Sequence, residues 1–122
     1  MADHNELGKK GEELAQKHMI HHGYKIRHLN WRFRKNEIDI IAQKDNLLVV
    51  VEVKTRTNEY FENPRDAVTR QKQKFMIQAT EAYINEFNIL NEVRFDIIAI
   101  TVLSKGVKIE HIKDAFNPNL IS

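Results

Sequence analysis

The stretch that most narrows what this chain can fold into is Glu37 to Lys54, written EIDIIAQKDNLLVVVEVK. Two arms rich in Ile and Val flank the turn-forming Lys44-Asp45-Asn46, so the run reads as strand, turn, strand. The apolar residues suit a core, and the charged ones interrupt it. Asp39 sits among isoleucines in the first arm, while Glu52 and Lys54 close the second arm directly after an unbroken apolar run.

Register turns this interruption into a candidate site. A turn centred between Asp45 and Asn46, as a two-residue or four-residue loop, makes the numbers of opposed residues sum to 91. Asp39 is then expected opposite Glu52, and Glu37 opposite Lys54. Directly opposed side chains share a sheet face with β-carbons roughly 5 Å apart, and Lys54, two residues past Glu52, shares that face. Two carboxylates at that separation repel by roughly 3 kcal/mol at an effective dielectric near 20, a large share of a small domain's stability. A divalent cation offsets this. Mg²⁺ takes oxygen ligands, is held by one or two carboxylates and keeps waters that a substrate phosphate can displace. Lys54 beside it would orient or activate an attacking water and balance phosphate charge. The plainer alternative is that Asp39 and Glu52 merely end their strands and pair with Lys54 or Arg56 at the surface. The apolar flanks and the shared face favour the site.

Asp39 followed by Glu52-Val53-Lys54 on the next strand resembles the D...ExK signature of the PD-(D/E)xK nuclease superfamily. Glu37-Ile38-Asp39-Ile40-Ile41-Ala42, Val51-Glu52-Val53-Lys54-Thr55-Arg56, the early Gly11-Glu12 and the late Arg94-Phe95-Asp96 look like the YraN family of small bacterial proteins. That family is similar to archaeal Holliday junction resolvases. The likeness runs from about Gly8 to Ile100. It departs where the family usually reads Gly-Glu-Ile-Asp: Asn36 replaces the glycine, and Asn tolerates positive φ well enough to keep a turn there. The resemblance implies a restriction-endonuclease-like core and Mg²⁺ or Mn²⁺ held by Asp39, Glu52 and the Val53 carbonyl. Glu12 would reach the ion from the first helix as a ligand or through water. It also implies cleavage of DNA, including branched DNA, to leave 5′ phosphates, and a homodimer.

Composition sets wider bounds. A chain of 122 residues makes one domain that buries about two-thirds of the surface its unfolded form exposes, and no linker or repeat divides it. No apolar run has membrane-spanning length and the opening residues do not read as a signal peptide, so a soluble, cytoplasmic protein with no membrane partner is expected. The absence of cysteine excludes disulfides and thiolate metal sites. A net charge of +2 permits nucleic acid without demanding it.

Along the chain, Asn5 to His22 reads as a helix stopped by Gly23, with Glu12 on the edge of its buried stripe and Glu13 solvated. His18 and His22 have zinc-ligand spacing, yet no third ligand is evident and zinc is rejected. Tyr24 to Phe33 reads as the first strand. Trp31 and Phe33 are expected in the core, and Arg32, Arg34 and Lys35 along a substrate groove, since cations meet phosphates. A polar loop follows from Thr55 to Glu62, where Arg56 is either a phosphate clamp or part of a surface ion pair. Asn63-Pro64 reads as the start of a helix running to about Phe87, with Val68, Phe75, Ala79, Ala82 and Tyr83 inward. Lys72 lies on that stripe. Its charge needs either the acidic cluster, a bound phosphate or open water at the end of a flat-packed stem, and Arg70 extends the basic face. Val93 to Leu103 reads as a buried strand, with Arg94 and Asp96 structural, paired with each other or with neighbouring strands, then a turn and a strand from Val107 to Ile112. The tail from Phe116 is expected to be loose.

The order α-βββ-α-ββ predicts an α/β domain with a mixed central sheet flanked by helices. The function expected is metal-dependent hydrolysis of DNA by an endonuclease. A non-catalytic nucleic-acid-binding module that keeps the fold is the alternative, and a purely structural protein the third reading.

Overall fold

Among the residues that the computed structural model describes, 4–57 and 63–117, the elements follow the expected order. They are α1 (His4–His21), β1 (Lys25–Phe33), β2 (Asn36–Lys44), β3 (Leu47–Arg56), a 3-10 turn at Pro64–Ala67, α2 (Arg70–Phe87), β4 (Glu92–Leu103) and β5 (Gly106–Phe116). The strands form one mixed sheet in the order β1-β2-β3-β4-β5. Neighbours are antiparallel except β3 and β4, which run parallel.

The central hairpin has the expected register. Ile40 pairs with Val51, Ala42 with Val49 and Lys44 with Leu47, so Asp45-Asn46 is a two-residue loop, and Asp45 takes the left-handed φ of 53° that such a turn requires. β2 and β4 pair with the two edges of β3, and α1 and α2 cover the two faces of its middle. Leu48 to Val51 are fully buried, which is why this strand reads as a continuous apolar run rather than an alternation.

The two faces carry separate cores. On one, Ala15 and Met19 of α1 pack with Ile40, Ala42, Val49, Val51, Ile98 and Ile100. On the other, Met76, Ala79 and Tyr83 of α2 pack with Ile38, Ile41, Leu48, Val50, Phe95 and Ile97. Trp31 and Phe33 lie against the α2-side core, as expected. The alternation breaks at one place. Ile38 and Ile40 are two apart in β2 yet belong to opposite cores, and opposite them Trp31 and Leu29 divide in the same way. Between those pairs the ladder passes over Asn30 and Asp39, and Asn30 has a left-handed φ of 51°. The local twist sits at the residue on which the candidate site depends.

Four expectations need correction. The helix read from Asn63 is two pieces: the 3-10 turn, then α2, whose N-cap is Thr69, with its hydroxyl accepting from Lys72 N–H at 3.1 Å. Asn63-Pro64 is a real start signal that the chain uses for one tight turn only. On α2 the fully buried positions are Met76, Ala79, Thr80 and Tyr83, whereas Phe75 and Ala82 are only partly covered. β5 runs on to Phe116, which stacks on Phe95 at 4.9 Å and is no loose tail. The left-handed residue of the β1–β2 turn is Arg34, φ 57°, rather than Asn36, which is already paired with Phe33. Residues 58–62 of the polar loop and 118–122 of the tail lie outside the described residues.

Candidate functional site

Asp39 and Glu52 meet at the end of the β2–β3 ladder. The last ladder pair is Ile40 with Val51, and beyond it Asp39 turns its carboxylate toward β3, where Oδ2 accepts from Val53 N–H at 2.8 Å. The two carboxyls lie close enough for each to act on the other's ionisation. They converge as expected, but through this turn and not as a direct cross-strand pair. Glu37 does not face Lys54. It is exposed and ion-paired with Arg32, its β1 neighbour, at 3.9 Å.

Burial and the Asp39 charge push the Glu52 carboxyl up to about 8, against the pull of Lys72. Burial raises Asp39 as well, while the Val53 N–H, the bond from Glu52 and the two lysines oppose the rise. Both carboxyls are thus shifted toward the protonated form, and Glu52 is 6 % exposed. Lys72 reaches across from the first turn of α2, its Nζ 3.7 Å from Glu52 Oε1. Of the readings open for this lysine, the structure shows the one in which it answers the acidic cluster.

Glu12 approaches from the other helix. Gly11 allows this: a β-carbon there would overlap Thr55 Oγ1, so only glycine lets α1 lie this close to β3. Glu12 Oε1 is buried and has no hydrogen-bond partner. Burial, then Asp39, then Glu37 raise its pKa. Glu12, Asp39, Val53 and Lys54 line a cavity of about 250 Å³ with Leu7, Gly8 and Thr55.

Glu52 does not line this cavity, so the acidic side chains that face it are Glu12 and Asp39. The buried Glu12 oxygen with no partner is a deficit that a cation held between Glu12 and Asp39 would remove. Among the described residues no three histidine or acidic side chains are grouped as a ready-made metal cage. A cation here would rely on the carboxyls, a backbone carbonyl and water, as Mg²⁺ commonly does.

The remaining basic candidates lie elsewhere. Arg32, Arg34 and Lys35 are exposed at the β1–β2 turn, with the Arg34 guanidinium 4.9 Å from the Phe33 ring centre, and none of the three lines the cavity. Arg56 donates from Nε to Thr101 Oγ1 at 3.1 Å. Arg70 is exposed at the start of α2.

Sequence reasoning missed a second polar centre, between α1 and β5. Arg94 donates two hydrogen bonds of 2.8 Å to the fully buried Asp96, the expected pair. Asp96 also accepts from Asp114 N–H at 3.1 Å and bonds His111 Nε2 at 2.7 Å, and His111 Nδ1 bonds His18 Nε2 at 3.0 Å. Burial opposes ionisation of Asp96, but His111, Arg94 and the Asp114 N–H together hold its pKa below the usual value. This chain of bonds fastens α1 to the far edge of the sheet. His18 and His111 are 93 residues apart, and only the His18–His22 spacing hinted that His18 would be engaged.

A family model described as "Uncharacterised protein family UPF0102" matches residues 11–100. Curated relatives described as UPF0102 proteins include one from Phocaeicola vulgatus, 50 % identical over 97 % of this chain and 98 % of the relative. Another, from Bacteroides thetaiotaomicron, is 50 % identical over 98 % of this chain and 99 % of the relative. A third, from Parabacteroides distasonis, is 43 % identical over 95 % and 96 %.

Proposed function

We propose that this chain, which belongs to the uncharacterised family UPF0102, is a metal-dependent endonuclease that hydrolyses DNA phosphodiester bonds on a restriction-endonuclease-like core of the PD-(D/E)xK kind. The observation that carries the reading is the convergence of Asp39 and Glu52 beyond the β2–β3 ladder, with Asp39 bonded to the Val53 N–H and Lys72 3.7 Å from Glu52. Buried like charges are costly to keep unless an ion or a substrate uses them.

Asp39, Glu52 and the Val53 carbonyl would hold Mg²⁺ or Mn²⁺, with Glu12 completing the set directly or through water. When bound, such an ion polarises the phosphoryl oxygens and lowers the pKa of its water. The chain's own residues do the rest. The Val53 N–H fixes Asp39. Lys54 orients the attacking water and neutralises charge that develops on the phosphate, and Lys72 holds Glu52 in place while its positive charge faces the substrate. Water oxygen bonds to phosphorus as the P–O3′ bond breaks, leaving a 5′ phosphate and a 3′ hydroxyl. Arg32, Arg34, Lys35, Arg56 and Arg70 serve the DNA backbone away from the reacting phosphate, where they add affinity without sequence preference.

The test pairs calorimetric titration of Mn²⁺ with nicking of a branched and unbranched DNA panel in the same buffer. Asp39→Ala and Lys54→Ala are each expected to reduce nicking by about 100-fold or more, with Asp39→Ala also losing the ion. Equal nicking by these variants and the wild type refutes the mechanism. Ion binding with no cleavage of any substrate favours the non-catalytic nucleic-acid module.

A further inference from the structure

We infer that His18, His22 and His111 form a second metal site, apart from the carboxylate cavity, which takes a divalent transition ion such as Zn²⁺ and ties α1 to β5. His18 and His22 stand one helical turn apart on the same side of α1, with ring centres 4.3 Å from each other. Neighbours in sequence offer that pair no third ligand. The fold brings one from β5, where His111 Nδ1 lies 3.0 Å from His18 Nε2.

Hydrogen bonds on the far side of two of these rings leave the other nitrogen as the ligand atom. Asp96 can only accept, so His111 carries its proton on Nε2, donates it to that carboxylate at 2.7 Å and keeps the lone pair on Nδ1. His22 Nδ1 likewise donates to the His18 carbonyl at 2.8 Å, which leaves Nε2. An imidazole fixed in this way by a carboxylate or a backbone carbonyl is the usual form of a metal-bound histidine. Two nitrogens that are each about 2.1 Å from an ion lie roughly 3.0 Å apart at a right angle and roughly 3.4 Å apart at the tetrahedral angle. The His18–His111 spacing therefore admits an ion after a small outward shift of either ring. The ion replaces the N–H that joins the two rings, and His18 carries its proton on Nδ1 instead, with no change of charge. Among the described residues the three rings do not yet form a closed cage. A turn of the exposed His22 side chain closes it, and water takes the last position. Ligand type keeps the two sites separate, since imidazole suits zinc, nickel and copper, whereas carboxylate, carbonyl and water suit Mg²⁺ and Mn²⁺. Nothing in this site depends on catalysis at Asp39.

The test is calorimetric titration of Zn²⁺ into the chelator-stripped chain, with Mg²⁺ in excess to occupy the carboxylate cavity. One ion per chain is expected to bind. His18→Ala, His22→Ala and His111→Ala are each expected to weaken that binding by about 10-fold or more, and Asp39→Ala, with its fold checked by circular dichroism, to leave it unchanged. A variant at the half-buried His18 or at His111 can fail to fold, so ring-proton NMR of the wild type reads the same site without substitution. Zn²⁺ is expected to shift the signals of His18, His22 and His111 but not that of His28, which bonds Tyr83 in the core on the α2 side. Absence of Zn²⁺ binding overturns the assignment. So does binding that survives His111→Ala, that is lost in folded Asp39→Ala, or that leaves those three ring signals in place.

Discussion

Glu52 holds a proton near neutral pH because its surroundings penalise the charge more than Lys72 repays it. Its folded pKa, about 8, lies above the ordinary carboxyl value of 4.5. Between those values the folded state binds a proton that the unfolded state does not. This carboxyl therefore contributes stability that is full below pH 4.5 and is lost as pH rises through about 8. A bound cation needs the carboxylate, so ion and proton compete for one oxygen pair. Mn²⁺ affinity is expected to rise with pH up to about 8, and binding near pH 7 to release close to one proton. Calorimetry in buffers of different ionisation enthalpy measures that proton directly. Glu52→Gln keeps the shape and removes the competition, so its proton release should vanish. Unchanged proton release in that variant shows that the proton comes from another group.

At the scale of elements, α1 is fixed beyond its Ala15 and Met19 packing by the contact of Gly11 with Thr55 and the bond of His18 to His111. Gly11→Ala drives a β-carbon into the Thr55 hydroxyl and should cost about 1–3 kcal/mol, read from the urea midpoint. It should also displace Glu12 from the cavity. Thr55→Gly in the same chain should recover part of the loss, because the overlapping atoms are then gone. The hairpin and its register were legible beforehand, since a two-residue turn and an alternating apolar pattern depend only on neighbours in sequence. The clustering of Lys72 with Glu52 was legible from its place on the inward stripe of α2. The irregularity at Asn30 and Asp39 was not, because it arises where two strands twist together and neither alone shows it. The break before Thr69 was hidden because Asn63-Pro64 gives a genuine start signal, and local signals do not say how far a helix continues. The Asp96–His111–His18 chain was beyond reach for a similar reason, since it exists only once β5 lies beside β4 and α1 crosses above.

At the scale of the whole molecule, the sheet is two antiparallel pieces, β1–β2–β3 and β4–β5, joined by the one parallel contact between β3 and β4. That contact pairs residues 45 apart in sequence, such as Leu47 with Glu92, and α2 is the crossover that makes it possible. Loop closure over such a separation is slow compared with hairpin formation. The strand with both faces buried thus acquires its second neighbour last. On the ribosome, the first meander emerges while β3 still offers an open apolar edge, and Lys72, which answers Glu52, is still inside the exit tunnel. A nascent chain stalled with Arg56 just outside the exit tunnel should therefore be retained by chaperones, whereas one stalled on an appended linker that brings Phe116 outside the tunnel should be released. Equal retention at both stall points would mean that the early half protects itself.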